Sequence, residues 1–294
     1  MPVNCKKLGE EIKNIRRVAG ISQKELAEGI CNQSEISRIE AGTVFPNLDT
    51  LFQISLKLRV SIPYLLLKLL YDRDDYIIET INYIEALSER KNYQEIYELS
   101  SNELKNGSNI KSISFYIFLK WNFHMASYYV KASHYLDCIQ ELKNILSNNF
   151  VYERHNFQDL RIKNVIANIY AENNCFEDSY RYYEEIISEQ ISSKAFNIYK
   201  IKVLYNYSKT HFSNGDIKKA LELVNKGIKL SLELKNMSLI GQLYYQKGSC
   251  YEILEKDNHE EIANNYKRSL FFFELLGMEL YEKHAKEKKA IYLK

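Results

Sequence analysis

Four polar side chains near the start of the chain have the types and spacing needed to read base-pair edges. Gln33, Ser34, Ser37 and Arg38 fall together by three- and four-residue helical spacing, and the face they make carries no acid. Glutamine can pair bidentately with adenine, arginine can grip guanine or phosphate, and serine can approach either. The chemistry on offer is therefore hydrogen bonding in a major groove rather than bond making. A polar helix face is more often simply solvated, so the elements that position these residues have to decide between the two readings.

Those elements are two short helices and a turn. Ser22 with Glu25 has the spacing of a capping box, and Asn32 with Glu35 repeats it ten residues later, so a second helix starts before the first completes much more than two turns. Gly29 stands where the first must stop. Ile36 and Ile39 face Leu26, Ala27 and Ile30, which leaves the polar set pointing outward. Ahead of this pair, Leu8, Ile12, Ile15 and Val18 predict a helix over residues 6–19 that packs behind it. After it, Asn47 caps a helix carrying Leu48, Leu51, Ile54, Leu56 and Leu58. Pro63 suits the first turn of a further helix, and residues 64–71 are apolar nearly all round. Residues 63–75 are accordingly expected to couple an N-terminal head to a body.

Gln23, Leu26-Ala27, Gln33-Ser34, Ile36-Ser37, Ile39-Glu40, Gly42 and Pro46 resemble the phage-repressor-type (Xre) helix-turn-helix. The resemblance implies binding to double-stranded DNA and adds Gln23 to the contacting set Gln33, Ser34, Ser37 and Arg38.

The 294 residues are 46% hydrophobic and 27% charged, enough to bury a large core and to form two domains. With only 10 Gly and 3 Pro, the chain is expected to be all-α with few irregular connections. The net charge of +2 rules out a general polycation, so any DNA affinity must be local. The first helix, with Lys6, Lys7, Lys13, Arg16 and Arg17 against Glu10 and Glu11, is mildly basic. The five cysteines show no paired ligand spacing, which fits a reducing, cytoplasmic setting. No apolar run approaches the roughly 18 residues that span a membrane. The six histidines lie in no metal or nucleophile spacing, so no catalytic residue, metal or cofactor is expected.

Beyond residue 76 the chain repeats. Ala126 with Cys138 and Leu142, Ala167 with Ser179 and Tyr183, and Ser208 with Ala220 and Val224 share one pattern. Gly248 with Ala263 continues it after an insertion near residues 255–260. This is the tetratricopeptide pattern of two antiparallel helices per unit, and it predicts a right-handed superhelix over residues 76–294 behind a head at 1–62. A degenerate unit with Tyr93 and Ile96 is expected to precede it, and a polar cap helix to end it. The inner helices carry Asn164, Asn206 and Gln242. A carboxamide offers a donor and an acceptor to a peptide unit, so three in successive repeats favour an extended peptide as ligand. Lys91, Lys163, Lys209 and Tyr281 would add charge and ring contacts.

A helix-turn-helix head fused to such repeats resembles the RNPP family of peptide-sensing transcriptional regulators. The segments that sharpen the likeness are 30–42, 166–173, 239–248 and the run Phe271-Phe-Phe. The resemblance implies a cytoplasmic homodimer that binds a palindromic promoter element when a short re-imported signalling peptide fills the repeat groove, with Asn164, Asn206, Gln242, Tyr281 and Lys91 as contacts. Glu89 and Leu66 depart from the expected basic and aromatic residues, and Glu89 would disfavour an acidic peptide at its end of the groove. Two other readings compete: a regulator of the same fold answering to another ligand or to cysteine oxidation at Cys31, and a repeat scaffold that sequesters a protein.

Overall fold

The computed structural model describes residues 5–62, 65–66, 74–105, 112–147 and 157–293, and all regular structure among them is helical. The chain divides into two compact units, residues 1–92 with 105–116, and residues 93–104 with 117–294.

The first unit opens with α1 (Cys5–Val18), α2 (Gln23–Ala27), α3 (Gln33–Glu40) and α4 (Leu48–Lys57), and also holds α5 (Asp74–Glu89). Ser22 makes a full capping box with Glu25. Its hydroxyl accepts from the Glu25 amide at 3.2 Å while its own amide donates to the Glu25 carboxylate at 2.6 Å. At α3 the reciprocal half is missing. Asn32 Oδ1 instead accepts from both the Glu35 amide (2.8 Å) and the Ser34 hydroxyl (2.6 Å). Gly29, at φ 80°, makes the left-handed turn between the two helices.

Leu8, Ile12, Leu26, Ala27, Ile36, Ile39, Leu51, Ile54 and Leu58 form one buried core, with Ile15 and Ile30 partly buried against it. Val18, expected there, is 89% exposed. It is the last residue of α1, and Arg16 turns inward in its place. Leu48 and Leu56 are likewise exposed, on the outward stripe they share with Phe52 at four-residue spacing. Most of the expected coupling segment 63–75 lies outside the described residues. Within it, Leu65 is buried in the head core and Leu66 packs against it.

Helix α1 crosses the end of α3 with backbone nearly touching backbone. A Cβ added at Gly9 would lie 2.2 Å from the Ile39 carbonyl oxygen. Backbone cannot yield as a side chain can, so Gly9→Ala is expected to lower the first unit's stability by about 1–3 kcal/mol or more. The urea midpoint of that unit would fall, while the transition of the second unit stays in place.

The second unit is built from helical pairs. It runs from α6 (Tyr93–Lys105) and α7 (Ile113–Tyr129), at whose ends the two units meet in sequence, through α8 (Tyr135–Ser147), α9 (Gln158–Glu172) and α10 (Phe176–Ser188). There follow α11 (Lys194–Ser213), α12 (Ile217–Glu233), α13 (Ile240–Leu254), α14 (His259–Leu275), α15 (Glu279–Lys288) and α16 (Ala290–Leu293). The extensive packing is α9 on α10, α11 on α12 and α13 on α14, and the first helices of successive pairs also touch, α9 with α11 and α11 with α13.

The small anchors explain that packing. Ala126, Ala167 and Ser208 are wholly buried, and a Cβ at Gly248 would sit 2.8 Å from the Tyr266 ring. Their partners Cys138, Ser179 and Ala220 are buried too, and Ser179 Oγ donates to the Ala167 carbonyl at 2.8 Å. In the fourth unit the register differs from the sequence expectation: Ile262 is fully buried and Ala263 only half so. The longer turn around residues 255–258 shifts the second helix by one position. No helix among the described residues is long and apolar enough to cross a membrane.

Candidate nucleic-acid interface and ligand groove

Glu40 is the hub of the candidate interface. It closes α3 with its side chain 2% exposed, and its two oxygens accept from Arg16 of α1, from Nε at 2.5 Å and from Nη2 at 2.9 Å. Arg16 Nη1 also donates to the Ile21 carbonyl at 2.8 Å, so the guanidinium ties α1, the α1–α2 turn and α3 together. Burial pushes the Glu40 carboxyl upward, but hydrogen bonds from Arg16 and Gln23 outweigh it and hold it below the usual range. The Arg16 guanidinium is raised in turn, chiefly by its hydrogen bonds to Glu40.

From Glu40 the order passes outward. Gln23 Nε2 donates to Glu40 Oε2 at 2.8 Å, and Gln33 Nε2 donates to Gln23 Oε1 at 3.1 Å. A carboxylate only accepts, so Gln23 must present its NH2 to Glu40 and its carbonyl to Gln33. Gln33 is left with a carbonyl oxygen and one N–H facing solvent, the pair an adenine edge requires. Ser34 is tied to the cap through Asn32, Ser37 is half-buried, and Arg38 is exposed one turn beyond Ser34. The structure thus gathers Gln23, Gln33, Ser34, Ser37 and Arg38 at α2 and α3. Sequence reading missed Arg16 and Glu40 as the pair that sets them. The one signal was Glu40 itself, an acid in the last turn of a helix, where the helix dipole disfavours negative charge.

Glu40 gives the head a defined pH dependence. Its folded pKa is depressed, so its contribution is fully present above the ordinary glutamate value of about 4.3 and is lost as pH falls through the lower folded value. The first unit is expected to hold constant stability from neutrality to about pH 5 and to weaken below about pH 4, and Glu40→Gln to flatten that fall. Denaturant titrations at a series of pH values measure it.

Cys31 lies at the base of the interface, partly buried against the head core. Burial, and then the Glu35 carboxylate, push its thiol up, which leaves less thiolate for oxidants. Cys31→Ser is therefore expected to leave the oxidant response of DNA binding unchanged, as read by gel shift with and without peroxide.

In the second unit, Asn206 Nδ2 donates to Asn164 Oδ1 at 3.4 Å, joining α11 to α9. Gln242 is buried, with Nε2 against Met278 Sδ at 3.7 Å and Oε1 without a partner. A buried acceptor left unpaired costs about 1–3 kcal/mol, which an incoming N–H donor would recover. Tyr281, three residues past Met278, stacks on Phe273 at 5.3 Å and lies within electrostatic reach of Tyr205 and Tyr93.

Of the candidate set, Asn164 and Asn206 are joined directly, while Gln242 touches Met278 three residues before Tyr281. Lys91 belongs to the first unit, where it is an exposed left-handed turn residue at φ 56°. Lys163 is ion-paired with Glu185 at 2.7 Å, and Lys209 lies over the Tyr205 ring at 5.7 Å. Sequence reading also missed a tyrosine clamp. Tyr128 and Tyr129 both donate to Glu172, at 3.2 and 3.1 Å, and Tyr93 stacks on Tyr129 at 4.1 Å.

Residues 81–294 match the model of the RNPP family C-terminal domain, and residues 12–65 match a helix-turn-helix model. The chain belongs to the RNPP family. It is similar to Bacillus thuringiensis PlcR solved in complex with the peptide PapR7 and DNA, at 36% identity over 96% of this chain and 100% of that one, with a TM-score of 0.86. The apo form of the same protein matches at 35% identity over 96% and 99%, with a TM-score of 0.69. ComR from S. thermophilus, in complex with DNA and its signalling peptide ComS, is 19% identical over 97% and 99%, at a TM-score of 0.64, and shares the fold. No curated protein matches.

Proposed function

We propose that this chain is a transcription regulator that binds a palindromic DNA element as a homodimer and is gated by a short, re-imported signalling oligopeptide. The observation that carries the reading is the full-length likeness, at 36% identity, to a regulator captured with a peptide and DNA together. The head, residues 1–62, supplies Gln23, Gln33, Ser34, Ser37 and Arg38 to a major groove. Residues 63–75 couple it to the repeats of 76–294. There Asn164, Asn206, Gln242 and Tyr281 hold the peptide, with Lys91 as a weaker contact.

Two heads related by a two-fold axis reach half-sites about one helical turn, or a multiple of it, apart. The peptide acts by binding the DNA-competent arrangement more tightly than the other. No step in this scheme makes or breaks a covalent bond, so the chain works as a cytoplasmic regulator and not as an enzyme.

The test is fluorescence anisotropy of the purified chain on palindromic and scrambled promoter duplexes over a salt series. Expected is a preference for the palindrome with log K falling linearly in log salt, by about 0.9 per phosphate neutralised. Equal affinity for the two duplexes at every salt concentration would refute the reading.

A further inference from the structure

The carboxamide of Gln242 is buried and only partly used. Its Nε2 donates to the Met278 thioether at 3.7 Å, and its Oε1, shielded from solvent, has no partner among the described residues. Sulfur is a weak acceptor, so even the N–H is poorly satisfied. A peptide unit supplies both missing partners at once, a carbonyl oxygen for Nε2 and an N–H for Oε1. A buried carboxamide meets such a unit only when a neighbour withdraws, and Met278 is the side chain bonded to it.

The backbone at Met278 is fixed, whereas its side chain is not. Helix α14 ends in a Schellman motif. Gly277 stands at φ 64° and its amide donates to the Glu274 carbonyl at 3.2 Å, while the Met278 amide donates to the Phe273 carbonyl at 2.8 Å. The Met278 carbonyl in turn accepts from the Glu282 amide at 2.9 Å in the first turn of α15. Phe273 is seated on α13 where Gly241 leaves room, since a Cβ there would meet its ring at 2.7 Å, and Tyr281 stacks on the same ring. An anchored turn therefore delivers the sulfur to Gln242. What can move is an unbranched, half-buried side chain, which swings aside by rotation about its own bonds.

We propose that Met278 is a built-in competitor for the backbone of the ligand. Its thioether holds Gln242 as a poor substitute for a peptide carbonyl, and a bound oligopeptide displaces it and takes both hydrogen bonds of the carboxamide. The contact sets a threshold, because a ligand that offers Gln242 no better acceptor than sulfur gains nothing by entering there. This inference rests on the peptide reading above.

A fluorescein-labelled, fully randomised heptapeptide pool is titrated with the full chain and with Met278→Leu, a change that keeps the volume and removes the sulfur. Leucine leaves Nε2 without its acceptor before binding, so binding recovers more. The variant is expected to bind the pool about 2- to 5-fold more tightly than the parent. In a Gln242→Leu background, where no carboxamide remains to be held, the same substitution should change nothing. With the parent isotope-labelled at its four methionine methyls, the magnetic-resonance signal that Met278→Leu removes is expected to shift on saturation with the pool. Equal or weaker binding by Met278→Leu, the same gain in the Gln242→Leu background, or an unmoved Met278 signal overturns the competitor assignment while the groove still binds peptide. A pool that binds neither parent nor variant overturns the peptide reading together with it.

Discussion

A Glu40→Ala chain is expected to lose operator binding while its second unit still folds. Removing the carboxylate leaves the Arg16 guanidinium, itself buried, with the Ile21 carbonyl as its one remaining partner among the described residues. Breaking one side of a buried pair costs about 3–5 kcal/mol, because the surviving charge is stranded rather than because the intact pair was strongly favourable. That is a large part of the stability of a typical domain, about 5–15 kcal/mol in all. The loss propagates. Without Glu40 nothing fixes the orientation of the Gln23 amide, and without Gln23 the Gln33 amide is free to rotate away from its base-reading pose. Differential scanning calorimetry should show an early, separate transition for the first unit, and anisotropy should show no preference for the palindrome. The double variant Arg16→Met with Glu40→Leu checks the cause, since removing both charges should restore much of the stability without restoring DNA binding. A Glu40→Ala chain that melts and binds like the parent would remove Glu40 from the centre of this account.

The second large effect is expected at the reading face. Each good bidentate base contact is worth about 1–3 kcal/mol, so Gln33→Ala should weaken operator binding by about 10- to 100-fold and relax the preference at one base pair. Arg38→Ala removes a phosphate- or guanine-gripping cation and should abolish measurable promoter binding at moderate salt. Both residues are exposed, so neither change should alter melting or peptide affinity. The two readouts separate a contact from a fold defect. If Arg38→Ala binds the operator normally, α3 is not the recognition helix.

How far these sites were legible in the sequence depends on how local their causes are. The caps at Ser22 and Asn32 and the turn at Gly29 involve residues within a few positions of one another, and the structure shows the caps and turn in place. The anchors Ala126, Ala167 and Ser208 were readable because a helix crossing tolerates only small residues and the crossing recurs at a fixed period. The failures are of another kind. Val18 has the right spacing for the core but stands where α1 ends, and no periodicity marks that end. Ala263 looked like an anchor because it is small, whereas an insertion had moved the crossing to Ile262.

The Arg16–Glu40 pair was out of reach for a different reason. Its members are 24 residues apart, both types usually face water, and only the close approach of α1 to α3 at Gly9 brings them together. In the groove, carboxamides were legible by type and repeat position, but their pairing was not. Asn164 and Asn206 meet each other, and Gln242 meets Met278, through contacts across neighbouring helices.

The central claim is that a peptide in the repeats controls a DNA-reading head, and one binding isotherm tests it most directly. The purified chain is titrated onto a palindromic promoter fragment at fixed salt, alone and with a panel of short peptides that includes PapR7. The account predicts that at least one of them raises DNA affinity by about 5- to 150-fold, the range of ordinary coupling free energies, and that the fragment raises peptide affinity by the same factor. Tight, selective DNA binding that no peptide in the panel alters would contradict it.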